Sequence, residues 1–141
     1  MKIYFAGSIT GSREDVGIYL ELIRHLRKYG RVLTEHVGDK NLTTKGEVDI
    51  SPQRIYQRDM EWLKEADVLI AEVTSPGHGV GIEIGTAISQ KKPILCLFRT
   101  NSGKNLSTII KGCPHLKYAN YLNLDEAKQI IDDFIQNVKQ R

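Results

Sequence analysis

Glu83, Asp59, Tyr4 and His78 have types and positions that could do nucleophilic or acid–base chemistry. Glu83 follows the glycine-rich stretch Gly79-Val80-Gly81 and falls at the predicted start of a helix. There the helix dipole and free N–H groups favour a carboxylate. An ionised carboxyl aimed into a crevice could attack, or electrostatically stabilise, a cationic sugar carbon. A glutamate that merely complements the dipole is the competing reading. Asp59 stands four residues after Ile55 and three before Trp62, so an acid lies on an otherwise inward-facing helical stripe. The competing reading is an edge ion pair with Arg54 or Arg58. Tyr4 could donate its phenol to a carboxylate at the end of its strand, or be a core tyrosine satisfied by backbone. His78 is either an acid/base or phosphate donor, or a solvated loop histidine.

Two loops are candidates to hold what these groups act on. The first carries Gly7, Ser8, Ile9, Thr10, Ser12 and Arg13, whose hydroxyls and single cation suit a sugar hydroxyl or one phosphate. The second, 74–81, carries Gly77, His78 and Gly79, and its glycines let backbone N–H groups approach a ligand. Glu35 and His36 follow the second strand and point to the same end of the sheet. Gly79-x-Gly81-x-x-x-Gly85 is one residue too long for a dinucleotide fingerprint, and Glu83 would repel a pyrophosphate there. No His, Cys or Asp set has metal-ligand spacing, and no cofactor is implied.

The elements that must position these residues alternate along the chain. Strands are predicted at 2–6, 32–34, 67–73, 93–99 and 117–122. A helix launched by Ser12-x-x-Asp15 carries the stripe Tyr19, Leu22, Ile23, Leu26 and stops by Gly30. Ser51-Pro52 starts another that runs to about Glu65. Further helices are predicted at 82–90 and, more briefly, 106–111. Asn123-x-x-Glu126 caps the last, with Leu124, Ala127, Ile131, Phe134, Ile135 and Val138 on its apolar side. Such alternation predicts an α/β, doubly wound, five-stranded parallel sheet with helices on both faces and strand order 2-1-3-4-5. Strands 1 and 3 are then neighbours at a switch point, where ligands bind beyond the carboxyl ends. The polar connection 38–50 is long enough to act as a lid.

Composition narrows the classes. The chain has 141 residues, which predicts one domain over 1–141 burying roughly two-thirds of its unfolded surface. Twenty Lys and Arg against 17 Asp and Glu give a net charge of +3, too little for binding a long nucleic acid through its phosphates. The longest apolar run, 94–98, is far short of a bilayer span, and no secretory signal is read at the first strand, so a cytoplasmic location is expected. Cys96 and Cys113 are then expected to be reduced, Cys96 as a core filler.

Several motifs together resemble the 2′-deoxynucleoside 5′-monophosphate N-hydrolases, within the wider nucleoside 2-deoxyribosyltransferase family. They are Ile3-Tyr4-Phe5-Ala6-Gly7-Ser8-Ile9, Val32-Leu33-Thr34-Glu35-His36-Val37, Arg58-Asp59-x-x-Trp62-Leu63, Ala71-Glu72-Val73-Thr74, Gly79-Val80-Gly81-x-Glu83-x-Gly85, Pro93-Ile94-Leu95-Cys96-Leu97-Phe98-Arg99 and Ser102-Gly103-x-x-Leu106-Ser107. The resemblance implies a flavodoxin-like fold, a homodimer and cleavage of the bond between base and deoxyribose. By position it implies Glu83 as nucleophile at C1′, Tyr4 as the group orienting it, and Asp59 as the second catalytic carboxylate. It also implies that Ser8 and Ser107 bind phosphate, Ser107 in the neighbouring subunit's site. Two positions depart from the family pattern: Thr10 stands where it has arginine, and Gly77 where it has serine. Two other readings stay open, a deoxyribosyltransferase that passes the sugar to a second base, and a non-catalytic nucleotide-binding module.

Overall fold

The computed structural model describes residues 1–141. Strands β1 (Lys2–Ala6), β2 (Arg31–Val32), β3 (Val68–Glu72), β4 (Ile94–Arg99) and β5 (Lys117–Tyr121) form one parallel sheet in the order β2-β1-β3-β4-β5, as the alternation predicts. Helices α1 (Val16–Leu26) and α5 (Leu124–Lys139) pack on one face, α2 (Pro52–Glu65) and α3 (His78–Ser89) on the other. The short α4 (Thr108–Gly112) leads into β5. The chain leaves β1 toward one face and β3 toward the other, which opens a crevice between them. No helix is long and apolar enough to cross a membrane.

The two-residue period of a strand decides which side chains meet. Ile3 and Phe5 point into the core beneath α1 and α5. Tyr4 and Ala6 point into the core beneath α2 and α3. Tyr4 therefore shares a face with the helices that carry Asp59 and Glu83. Cys96 is fully buried on that face, and both cysteines are free thiols.

Two predicted caps form as read. Ser51 accepts from the Arg54 N–H at 3.3 Å with Pro52 opening α2, and Asn123 accepts from the Glu126 N–H at 2.9 Å. Several boundaries move, three of them for a local reason. Asp15 stands at the N-cap of α1 without capping it, because its carboxylate is taken by Ser75 and Arg99, while Ser12 accepts only from the Glu14 N–H. The second strand stops at Val32: the Thr34 hydroxyl donates to the Phe5 carbonyl at 2.6 Å and accepts from the Phe5 N–H at 2.9 Å, replacing the ladder there. Finally, α3 begins at His78, four residues before the predicted start, since the glycines there join the helix.

Candidate active site

A cavity of about 210 Å³ opens at the crevice, walled by the loop after β1, the start of α3, one side of α2 and the connection 38–50. From β1 and its loop come Gly7, Ser8, Ile9 and Thr10; from α3 and the residue before it, Gly77, Gly79 and Glu83. Asp59 faces in from α2, and His36 from a single 3-10 turn, Glu35–Gly38. Nine of the sequence-predicted residues thus surround one space. Gly11 shows how closely its walls approach: a Cβ there would lie 2.7 Å from both the Pro76 carbonyl and the Ser8 hydroxyl.

Tyr4 lies behind Glu83, in the core rather than in the cavity wall. Its ring is fully buried and its O–H donates to Glu83 Oε2. Burial, then the neighbouring Glu83 charge, raises the phenol's pKa, so it remains a donor. The Glu83 carboxyl is itself pushed up to about 7, chiefly by burial, with the Asp59 charge adding and the Tyr4 hydrogen bond opposing. This corrects the expectation that the helix start would favour the ionised form. Glu83 sits in the second turn of α3, where the dipole has faded, and desolvation outweighs it. The result is a carboxyl that titrates near neutrality in a pocket, a frequent property of catalytic acids and nucleophiles.

Asp59 is paired with Arg58, one of the two partners expected, and it also faces the cavity. Arg58 holds its Oδ1 through Nε at 3.0 Å and Nη2 at 2.9 Å, yet the carboxylate still lines the cavity. Its pKa is raised by burial against the pull of Arg58. Ser8 is buried, its N–H bonded to the Tyr19 oxygen at 3.1 Å and its hydroxyl 3.5 Å from the Pro76 carbonyl.

Three predicted ligand residues lie elsewhere. The Arg13 guanidinium donates to the carbonyls of Leu42 (2.9 Å), Ser8 (3.2 Å) and Asp39 (2.9 Å), so it ties the connection to the first loop and does not line the cavity. His78 is an exposed first residue of α3, outside the cavity wall. Ser107 caps α4 and lines a separate cavity of about 340 Å³, between α3 and α4.

Sequence reasoning missed Glu47, which lines the cavity and grips Arg58 through both oxygens, at 2.8 and 2.7 Å. The available signal was that it is the one acid within 40–48. Also missed was the buried network behind the second loop. Glu72, 0% exposed, accepts from the Thr74 N–H and hydroxyl, each at 2.8 Å, and from Tyr121. Asp15 accepts from Ser75 at 3.0 Å and Arg99 at 3.1 Å. Together these fix 74–77 against the sheet.

A family model described as nucleoside 2-deoxyribosyltransferase matches residues 3–133. The chain belongs to the nucleoside 2-deoxyribosyltransferase family. Among its relatives in that family is the 5-hydroxymethyl-dUMP N-hydrolase of Danio rerio, 45% identical over 141 residues, covering 98% of each chain. Another is the enzyme of the same name from Tetraodon nigroviridis, 43% identical over 143 residues, covering 99% of this chain and 100% of that one. A solved structure, the CMP N-glycosidase of Clostridium botulinum, shares the fold of this family member with a TM-score of 0.65 and 25% identity, over 94% of this chain and 99% of that one.

Proposed function

We propose that this chain hydrolyses the N-glycosidic bond of 2′-deoxynucleoside 5′-monophosphates, releasing the free base and deoxyribose 5-phosphate. The observation that carries the reading is the Glu83 carboxyl, bonded to the buried Tyr4 and opening with Asp59 into one cavity of sugar size. The relatives' names as N-hydrolases of a deoxynucleotide support the same substrate class.

In the mechanism, Glu83 attacks C1′ as a carboxylate while the bond to the base breaks, through an oxocarbenium-like transition state. Tyr4 keeps one carboxyl oxygen fixed, so the other is the one aimed at the sugar. Asp59 assists proton transfer to the departing base or holds the sugar hydroxyls. Water then attacks C1′ of the glycosyl-enzyme, giving one proton to Asp59 as the bond between C1′ and Glu83 breaks, which returns Glu83 as a carboxylate and releases the sugar phosphate. Free backbone N–H groups at the start of α3 and at Ile9 and Thr10, with the Ser8 hydroxyl, receive the 5′-phosphate. Ser107 of a second copy joins them in a homodimer. Exposed Ile109 (82%), which lines the same cavity from α4, supports that pairing.

A second reading is transfer of the deoxyribosyl group to another base, the reaction for which the family is named; Thr10 and Gly77, in place of the family's arginine and serine, would suit nucleosides without phosphate. One assay separates the two. A deoxynucleoside or its 5′-monophosphate is supplied with and without a foreign free base, and products are resolved by chromatography. Free sugar phosphate, unaffected by the added base, is expected; a new nucleoside would establish transfer instead. Glu83→Ala should lower turnover by about a hundredfold or more with its circular dichroism unchanged. Near-normal turnover would remove Glu83 as nucleophile.

A further inference from the structure

Arg58 and Asp59 are adjacent on α2, and adjacent helical residues point about 100° apart, so they do not meet by default. Here they do, because the Arg58 side chain is turned back and held from three sides. Glu47 takes Nη1 and Nη2 in a two-pronged bond at 2.8 and 2.7 Å. The Trp62 ring, one turn along α2, lies beneath the guanidinium, 4.5 Å from Cζ to the centroid. Asp59 Oδ1 closes the third side. His36 extends the chain of contacts, with Nε2 3.7 Å from Glu47 Oε2 and its ring 6.0 Å from that of Trp62.

We propose, building on the hydrolase reading above, that Arg58 and Glu47 are positioning residues for Asp59. Arg58 occupies Oδ1 twice and leaves Oδ2 to face a bound sugar or base, and Glu47 locks Arg58 while tying the connection 38–50 over the cavity. An exposed ion pair would do little. This one is partly buried, two-pronged and stacked on an aromatic ring, the arrangement in which arginine is not replaceable by lysine. The titratable and charged groups facing Asp59 are Arg58, Glu47, His36, Glu83 and Tyr4. Arg58 alone among them both touches it and favours its carboxylate form; burial opposes that form.

The test uses Arg58→Gln, Glu47→Gln and the double variant in the full chain. Each single change is expected to lower kcat/KM about tenfold, and the double variant to be no worse than Arg58→Gln, since the two residues act as one unit. In Arg58→Gln the pH profile of kcat/KM should also move, because Asp59 loses the cation that favours its ionised form. Losses that multiply in the double variant would overturn the proposal. A second readout needs no turnover: amide hydrogen exchange in the ligand-free protein. Exchange across 39–50 should rise about tenfold in both single variants, while the amides of β1 and β3 keep their protection, which also establishes that the variants fold. If the unmodified chain cleaves no deoxynucleotide but exchange responds in this way, the hydrolase reading fails and the positioning pair stands. If the chain cleaves its substrate, and Arg58→Gln changes neither the pH profile nor the exchange, the pair is refuted and the hydrolase reading stands.

Discussion

Two carboxyls at the mouth of the sheet, Glu83 and Asp59, differ in what surrounds them, and the roles proposed for them rest on that difference. Glu83 is bonded to a neutral phenol and desolvated, so its pKa lies near 7; Asp59 has a guanidinium against it. If the carboxylate of Glu83 attacks, activity must fall as pH drops through that value. Log kcat/KM is expected to rise to about pH 7 and then level. The Tyr4 hydrogen bond lowers the Glu83 pKa, so Tyr4→Phe should move the acid limb upward and lose more activity at pH 6 than at pH 8. A profile flat from pH 5 to 8 would contradict the assignment. That Tyr4, Asp59 and Glu83 come together was legible in the sequence, because they sit in motifs with a fixed order; Tyr4 is bonded to Glu83, which shares a cavity with Asp59. Their electrostatics were not. A dipole argument made Glu83 readily ionised, whereas its distance along α3 and its burial, both properties of the folded chain, decide otherwise.

At the scale of elements, alternating strand and helix patterns carried the architecture, and side-chain hydrogen bonds to backbone moved the boundaries. Thr34 is the clearest case. β propensity reads 32–34 as one strand, yet the hydroxyl takes both backbone groups of Phe5 and ends pairing at Val32. Nothing local in the sequence announces a bond between residues 29 apart. Thr34→Val keeps the shape but leaves the buried Phe5 N–H and carbonyl without that partner. It should cost about 1–3 kcal/mol of stability, read from urea unfolding. Because Phe5 follows Tyr4, the same change should lower turnover as well. Arg13 teaches a related lesson. A cation beside a hydroxyl-rich loop reads as a phosphate ligand, but the carbonyls of Leu42, Ser8 and Asp39 claim it. The path of 38–50, which has no periodicity to read, brings two of those carbonyls there.

For the molecule as a whole, the cavity shaped by β1, α2 and α3 lacks Ser107, which lines a separate cavity between α3 and α4 beside exposed Ile109. The homodimer proposed above would place a second copy across that face and bring its Ser107 to the phosphate. Ile109→Glu should then give a monomer by light scattering, with an unchanged thermal transition and reduced cleavage of deoxynucleotides. A variant that stays active as a monomer would dissociate pairing from catalysis. The sheet's two rims are also unequal. β2 offers two residues, and the chain beyond it turns into a 3-10 loop, so that rim presents almost no run of unpaired amides. β5 runs for five residues, with Lys117, Tyr118 and Asn120 open to solvent. Any strand that added itself to this protein, from a fused tag or a damaged neighbour, would find its template along β5, where the charge of Lys117 is the guard against filament growth.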